Sequence, residues 1–293
     1  MSSIQTNFSV SVVIATLGGR QLDKTIELLN QGTITPHEIL ICIPIKESRF
    51  NPSNYKNVIV VETKCRGQVA QRAIGFELAT EKFVLQLDDD IHLAKDCVEN
   101  LLNVINSEGG KVAVAPSLII ESTGISFYQR PKKTILFKLY YWLLNGISGH
   151  EPGKITMAGT NVGIDPEYIE DDVVEVEWVP GGCLLHTRDN LIFENFYPFR
   201  GKAYSEDLYH SYYLKQNKVK LKVSTLAQCF LDDDLVVYNF SIFDFFSFIR
   251  SDIKARLGLV KLSKKSIIRM YIYYTFVILR YFSTQIKTKF GNT

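Results

Sequence analysis

The hydrophobic positions of the first hundred residues alternate between two periods. Short runs of apolar residues indicate buried strands, whereas apolar residues three and four apart indicate amphipathic helices. The predicted strands cover residues 10–15, 38–43, 58–61 and 82–87, and the predicted helices cover 22–31, 68–79 and 97–106, the last capped by Asp96. Strands alternating with helices of this length predict an α/β fold with a mainly parallel sheet. Ligands of such sheets bind beyond the carboxyl ends of the strands.

The pattern is looser beyond residue 108. It predicts an aromatic-rich segment at 140–144, a Gly-rich loop over 146–163, a strand over 175–179 and a helix over 205–216. No internal repeat or low-complexity linker separates the two halves. We therefore expect residues 1–108 and 109–235 to be two halves of one domain with a shared core.

The C-terminal stretch, residues 236–293, differs in kind. Residues 238–249 hold five phenylalanines, and 267–282 are almost wholly apolar, but the uncharged core of the latter stretch is ten residues long. Because a bilayer span needs about 20 residues, no ordinary transmembrane helix is predicted. Aromatic and aliphatic residues interleaved with Lys and Arg favour helices lying in a membrane interface. The alternative is a helix pair packed on the core with its basic face in water.

Charge is distributed unevenly along the chain. Residues 250–293 carry ten Lys and Arg and one acid, Asp252, whereas the rest of the chain carries 23 bases and 30 acids. A basic tail on a more acidic body calls for a negatively charged partner, either nucleic acid or an anionic membrane surface. Since the sequence has no RNA- or DNA-binding motif, we expect the membrane surface and no nucleic acid.

The cysteines and the N-terminal residues indicate in which cellular compartment the protein is expected. The five cysteines are scattered and form no CxxC pair, which argues against a disulfide framework and against a zinc site. The first residues show no basic segment followed by an apolar run, so no signal peptide is predicted. We expect a cytoplasmic protein.

The strand predicted over residues 82–87 ends in three consecutive aspartates, Asp88, Asp89 and Asp90. Side chains at i and i+2 of an extended segment point the same way, so Asp88 and Asp90 can face one site. Their oxygens suit Mg²⁺ or Mn²⁺, ions that usually also hold a substrate diphosphate. The alternative is a solvated acidic turn. A second triplet at 232–234 follows an apolar stretch outside any clear strand–helix alternation. We interpret it mainly as a surface turn, the alternative being that one of its members approaches the active site.

Five segments resemble, in order and spacing, the motifs of glycosyltransferase family 2, over roughly residues 9 to 222. They are Thr16 with Arg20 after the first strand, the Arg/Gly-rich turn from Arg66 to Arg72, the triplet Asp88–Asp90, the run from Trp178 to Gly181 and Gly182, and the pair Glu206 and Asp207. The resemblance implies the GT-A fold, with residues 1–108 as the half that binds a nucleotide-sugar and 109–235 as the half that binds the acceptor.

The resemblance also implies the roles of the donor residues. Asp90 would be the main ligand of Mn²⁺ or Mg²⁺, with Asp88 and Asp89 contacting the ribose or completing the coordination. Arg72, near a helix N-terminus, would help to hold the nucleotide, because such termini attract phosphate. Thr16 and Arg20 would border the base. The acidic residue that usually reads the base is missing after the second strand, where none occurs before Glu47.

On the acceptor side, Asp207 would be the general base that deprotonates the acceptor hydroxyl. Glu206, Gly181 and Gly182 would contact the acceptor, and Trp178 would stack on a sugar or belong to the core. The sequence therefore predicts a metal-dependent, inverting glycosyltransferase. Its expected donor is a UDP-linked sugar, and its expected acceptor is a lipid-linked saccharide at the inner face of the cell membrane, in polysaccharide biosynthesis.

Three competing interpretations have weaker support. Residues 17–20 faintly resemble the glycine-rich N-terminus of a sugar-nucleotide pyrophosphorylase, but the full pattern is missing. A non-catalytic module that binds membrane or nucleic acid would leave both acidic motifs unexplained. A processive synthase would add a QxxRW motif and several membrane spans, which the sequence lacks.

Overall fold

The computed structural model describes residues 8–47, 55–130, 132–199, 202–232 and 241–290. The chain divides into two compact units. Unit 1 comprises residues 1–129 and 164–238, and unit 2 comprises residues 130–163 and 239–293. Residues 130–163 therefore belong with the C-terminal helices.

Unit 1 is built on one sheet, in which the described residues form nine strands with the order β3-β2-β1-β4-β8-β6-β9-β5, and β7 pairs with β9. The strands are β1 Val10–Ala15, β2 Glu38–Pro44, β3 Val58–Thr63, β4 Phe83–Leu87, β5 Ile91–Leu93, β6 Val112–Ile120, β7 Val173–Val176, β8 Cys183–Thr187 and β9 Lys220–Leu231. Strands β1 to β4 are mutually parallel, as are β6 and β9, whereas β5, β7 and β8 pair in antiparallel fashion.

The helices of unit 1 are α1 Leu22–Gln31, α2 Gln68–Leu78, α3 Cys97–Glu108 and α5 Glu206–Gln216. Every residue of β1, β2 and β4 is buried, as expected for parallel strands covered on both faces. The predicted α/β fold with a mainly parallel central sheet is thus confirmed. The first hundred residues follow the predicted elements to within two residues at most ends.

Helix α2 carries a glycine, Gly75, on the face that packs on the sheet. A Cβ atom at Gly75 would overlap the side chain of Val13 and would lie 2.7 Å from Sγ of Cys42. The missing side chain therefore lets α2 rest directly on β1 and β2. The first turns of α2 are tied to the carboxyl ends of these strands by Gln71, which donates to the carbonyl oxygens of Thr16 and Cys42.

Several sequence interpretations need correction. The residues before the second aspartate triplet belong to β9, which pairs with β5, β6 and β7, so the stretch is part of the sheet and not outside the strand–helix pattern. Asp96 precedes α3, but its side chain makes no capping hydrogen bond. The strand expected over 175–179 runs instead from Val173 to Val176, and Trp178 lies beyond its end.

Unit 2 contains three long helices, α4 Ile135–Asn145, α6 Ile242–Leu262 and α7 Ile267–Phe290. Helix α4 includes the aromatic segment 140–144, and a short 3-10 turn and loops follow it to residue 163. Helices α6 and α7 share an apolar core that includes Phe245, Val260 and Tyr274. Among the described residues, none of these helices is both long and apolar enough to cross a bilayer.

A buried polar network joins the elements of unit 2. The hydroxyl of Tyr274 donates to Oδ2 of Asp252 over 2.6 Å, and Nη1 of Arg256 donates to the carbonyl oxygen of Gly159 over 2.6 Å. Arg256 also donates to the Tyr274 hydroxyl over 3.1 Å. These bonds satisfy charges that would be costly to bury alone. Asp252, the single acid among residues 250–293, therefore accepts a hydrogen bond inside unit 2.

Candidate active site

The candidate site forms where β1 and β4 end side by side. The two strands pair in parallel, with Ile14 opposite Leu87, so Thr16 and the aspartate triplet emerge at the same edge. The hydroxyl of Thr16 donates a hydrogen bond to Oδ2 of Asp89. The amide of Gly19 donates to the same oxygen over 3.3 Å. The structure thus joins two of the predicted donor-site segments directly.

Arg72 connects the end of β4 to the start of α5. Its guanidinium donates to Oδ1 of Asp88 through Nη2, and to Oε1 of Glu206 over 2.7 Å through Nη1. Gln68, one turn earlier on α2, donates to the same oxygen of Asp88 over 2.7 Å. The side chain of Arg72, which we expected to contact a nucleotide, therefore binds two carboxylates of the protein.

The electrostatics of this ion-pair group follow from its burial. Arg72 is 3% exposed and Glu206 is 7% exposed. Burial disfavours the charged guanidinium, but the charges of Glu206 and Asp88 outweigh it and raise the pKa of Arg72 above its usual range. Burial raises the pKa of Asp88, which Arg72 opposes. Glu206, expected to contact the acceptor, instead holds Arg72.

The glycine pair lies between the two acidic regions. The amide of Asp88 donates to the carbonyl oxygen of Gly182 over 2.8 Å, and the side-chain amide of Gln86 donates to the carbonyl oxygen of Gly181. A Cβ atom at Gly181 would lie 2.6 Å from Oε1 of Glu206. Any side chain at this position would displace the carboxylate that anchors Arg72.

Asp207 lies in the first turn of α5, beside the glycine pair. A Cβ atom at Gly181 would lie 3.6 Å from Cβ of Asp207. The amide of Leu208 donates to Oδ1 of Asp207 over 3.0 Å, and the carboxylate remains partly exposed. The acid predicted to be the base is therefore more accessible than its neighbour Glu206. Asp207 also lies near Tyr128, where burial raises the pKa of the hydroxyl and the charge of Asp207 adds to this effect.

Asp90 has the environment expected of a cation ligand. It is partly exposed, and burial together with the charges of Asp88 and Asp89 raises the pKa of its carboxyl to about 7. A divalent cation would relieve this repulsion. No group of three or more potential metal ligands occurs among the described residues. Two carboxylates are enough for Mg²⁺ or Mn²⁺ when a substrate diphosphate supplies the other oxygens, so the residues fit such an ion.

The remaining predicted residues lie at different depths. Arg20 is exposed in the loop between β1 and α1. Trp178 is 2% exposed and packs edge-to-face on Tyr128, with ring centroids 5.5 Å apart. Stacking on a sugar would require its face to be uncovered. Glu47, the first acid after β2, is paired with Arg66 at 3.3 Å.

Sequence reasoning missed several polar residues that build the site. Gln71 donates to the carbonyl oxygens of Thr16 and Cys42 over 2.9 and 2.7 Å, which ties α2 to the ends of β1 and β2. Gln21 donates to Oδ2 of Asp232 over 2.6 Å, so one member of the second triplet reaches the loop after β1. Asp233 and Asp234 lie outside the described residues. For the contacts of α2, the only signal in the sequence was the pair of glutamines, Gln68 and Gln71, that follows Gly67.

Comparisons with known proteins give the family and the fold of the chain. The model of the family described as Glycosyl transferase family 2 matches residues 11–162. The crystal structure of GalNAc-T7 with UDP, GalNAc and Mn²⁺ is similar in fold, with a TM-score of 0.56 and 16% sequence identity. The similarity covers 76% of this chain and 43% of that chain, so the chain spans less than half of that protein. A comparison with curated proteins found no match.

Proposed function

Since the family model matches residues 11–162, the chain belongs to glycosyl transferase family 2, and from this premise we propose that it is a metal-dependent, inverting enzyme. It would transfer one sugar from a nucleotide-sugar to a saccharide. The observation that carries the proposal is the joining of two acidic regions, Asp88–Asp90 and Glu206–Asp207, through Arg72 and the glycine pair.

The donor would lie against the aspartate triplet at the ends of β1 and β4. Asp90 and Asp88 would hold Mn²⁺ or Mg²⁺, which supplies charge neutralisation for the departing diphosphate. Thr16 positions Asp89 by the hydrogen bond described above, and the exposed Arg20 would border the nucleotide. We propose a UDP-linked donor because the structurally similar GalNAc-T7 was crystallised with UDP and Mn²⁺.

The acceptor would approach from the side of α5. The carboxylate of Asp207 takes the proton of the acceptor hydroxyl, whose oxygen forms the new bond to the anomeric carbon. The bond from that carbon to the diphosphate breaks on the opposite face, so the configuration inverts. Glu206 keeps Arg72, and through it Asp88, in place during this displacement. Gly181 leaves room for the Glu206 carboxylate, and the glycine pair would line the acceptor side beside Asp207.

We propose that the acceptor is a lipid-linked saccharide in polysaccharide biosynthesis, and that the enzyme lies on the cytoplasmic face of the cell membrane. The basic, aromatic-rich segment at 236–293 supports this proposal. Lys and Arg residues attract an anionic leaflet, and aromatic side chains suit its interface. The enzyme would thereby be concentrated where its acceptor is.

The test is a product assay with the full chain. UDP-, GDP- and dTDP-sugars are incubated with a short lipid-linked saccharide and Mn²⁺ or Mg²⁺, with EDTA as control. We expect release of a nucleoside diphosphate and addition of one sugar with inverted configuration, only with metal. Turnover that survives EDTA would contradict metal dependence. A pyrophosphorylase would instead require pyrophosphate and release a nucleoside triphosphate, which would contradict the proposed transfer.

A further inference from the structure

Helix α4 of unit 2 is apolar apart from Lys138 and its terminal Asn145, yet one of its sides is exposed. Its inner side includes buried Leu144, and Tyr140 packs against Phe276 of α7 with ring centroids 5.3 Å apart. Its outer side carries large exposed side chains, which are Ile135 at 85%, Leu136 at 76%, Leu139 at 50% and Trp142 at 52%. A helix that is hydrophobic all round normally has both sides covered. The outer side of α4 therefore calls for a partner.

The start of α4 lies beside the end of α7. Arg269, near the start of α7, donates to the carbonyl oxygens of Trp142 and Leu143 over 2.7 and 2.6 Å. Tyr140 contacts Phe276, which is two turns further along α7. The two helices thus run in opposite directions. Burial raises the pKa of Tyr140 and the nearby charge of Arg280 opposes it, which places that arginine at the same end.

The start of α6 lies at this end too. The ring of Phe245 stacks on Tyr281 with centroids 3.7 Å apart, and Phe246 approaches Phe282 at 6.5 Å. Exposed apolar side chains accumulate here from α6 and α7 as well. They are Phe243 at 84%, Phe246 at 46%, Leu279 at 61% and Phe282 at 40%. We call this end of unit 2, with the outer side of α4, the apolar end.

The charge around the apolar end is entirely positive on the α4 side. Residues 130–150 include Arg130, Lys132, Lys133 and Lys138 and contain no acid. Lys132, Lys133 and Lys138 are exposed. Large apolar residues flanked by Lys, with an exposed tryptophan, are the composition of helices that lie in an anionic membrane interface.

We infer that the outer side of α4 inserts into the interface of an anionic lipid bilayer, together with the adjoining ends of α6 and α7. This inference deepens the proposed function, because it assigns membrane contact to a segment from the middle of the chain and not to the C-terminal tail alone. Eleven helical residues span about 16 Å, roughly half of a hydrocarbon core. The helix therefore lies along the surface and does not cross it.

Tryptophan fluorescence tests the inference with the full chain. The protein has two tryptophans, Trp142 at 52% exposure and Trp178 at 2%, so the first is the one placed to enter the lipid. With phosphatidylcholine vesicles containing a third phosphatidylglycerol, we expect a blue shift and quenching by brominated lipid. Trp142→Phe should abolish both signals. Vesicles of phosphatidylcholine alone should bind much more weakly.

The matched variants separate α4 from the tail. Ile135→Ser with Leu136→Ser should weaken vesicle partitioning at least about tenfold, because two large apolar side chains no longer enter the interface. Leu226→Ser replaces an exposed leucine of unit 1, at 57%, and should leave partitioning unchanged. Lys132→Gln with Lys133→Gln should lower binding at low salt, and salt should reduce the difference.

Three outcomes would overturn the inference. If the protein floats with vesicles while Trp142 emission stays unchanged, the tail alone makes the contact. If the serine variant binds as tightly as the original chain, α4 is not inserted. If vesicles do not bind and the serine variant converts a dimer to a monomer on gel filtration, a second copy covers α4. Sugar transfer to a soluble saccharide, measured in parallel, tests the proposed enzyme activity independently of these results.

Discussion

Arg72 shows how one side chain can join the two acidic regions of the site. It lies on α2, yet it holds Asp88 at the end of β4 and Glu206 at the start of α5. Breaking a buried pair on one side leaves a charge without compensation, which typically costs 3–5 kcal/mol. Arg72 is thus a positioning residue, while the carboxylates of Asp90 and Asp207 are partly exposed. Predictions for single residues should separate these roles.

Asp90→Asn should lower turnover by about 10²–10³-fold, the usual effect of losing one charge-stabilising group. The carboxylate would no longer attract a divalent cation, so Mn²⁺ should lose its effect on donor binding. Isothermal titration of the donor with and without Mn²⁺ measures this. The control is Asp96→Asn, an exposed aspartate without a capping bond, which should behave as the original chain. Metal-dependent donor binding that persists in Asp90→Asn would contradict the assignment.

Asp207→Asn should reduce turnover by roughly 10²–10⁴-fold, because the amide cannot accept the acceptor proton. Donor affinity and thermal stability should stay nearly constant, since the side chain keeps its shape. The adjacent Glu206→Gln is the comparison, and it should mainly lower stability by weakening the bond to Arg72. Steady-state kinetics and thermal unfolding of both variants distinguish them. If Asp207→Asn turned over normally, another group would have to be the base.

At the level of elements, α2 determines where the site residues meet. Its glycine contact with β1 and β2 brings Gln68, Gln71 and Arg72 within hydrogen-bonding distance of the strand ends. A small shift of this helix away from the sheet would lengthen all of these bonds together. The geometry of the donor side therefore depends on one residue that touches neither substrate nor metal.

Gly75→Ala should destabilise the protein by about 1–3 kcal/mol, although alanine favours helices. The added Cβ would overlap Val13 and crowd Cys42, so α2 must move outward. Glu77→Ala on the exposed face of the same helix should have little effect on stability. Urea unfolding gives both free energies. A more stable Gly75→Ala protein would show that α2 can tolerate the methyl group where it lies.

The elements also show what the sequence could predict. Buried strands such as β1 and β4 are continuous apolar runs, so their positions, and hence the place of Asp88–Asp90, followed from local pattern. Strand β9 did not, because polar residues interrupt its apolar run, among them Lys222, which is buried and pairs with Glu108 over 2.6 Å. The partners of Arg72 lie 16 and 134 residues away. No local sequence pattern encodes such contacts, although Arg72, Asp88 and Glu206 were each predicted to belong to the site.

For the whole molecule, two buried histidines behind the site link stability to pH. Their rings lie 5.5 Å apart, and His210 also stacks on Phe196. Burial, with the charge of Arg72 adding to it, lowers the pKa of His210 to about 3. Burial and the charge of His210 lower the pKa of His186 well below its usual value. Both imidazoles therefore stay neutral in the folded protein at neutral and mildly acidic pH.

Stability should consequently fall as the pH drops below about 6.5, the pKa of histidine in the unfolded chain. Below this pH the unfolded chain binds protons that the folded chain does not, at about 1.4 kcal/mol per pH unit for each histidine. His210→Phe should make the dependence shallower, whereas His37→Gln, at an exposed position, should not. Urea unfolding between pH 5 and 7.5 measures the slopes. Equal slopes in all three proteins would contradict this linkage.

The order in which the chain supplies its two units has a consequence for biosynthesis. Residues 130–163 belong to unit 2 but are synthesised in the middle of unit 1. The α7 residues that cover α4 are synthesised roughly 130 residues later, a delay of about 6–25 seconds at the rate of translation. During this interval the nascent chain exposes both apolar sides of α4 on the ribosome. We expect this segment to be the one that molecular chaperones, or the membrane itself, must shield until the last helix emerges.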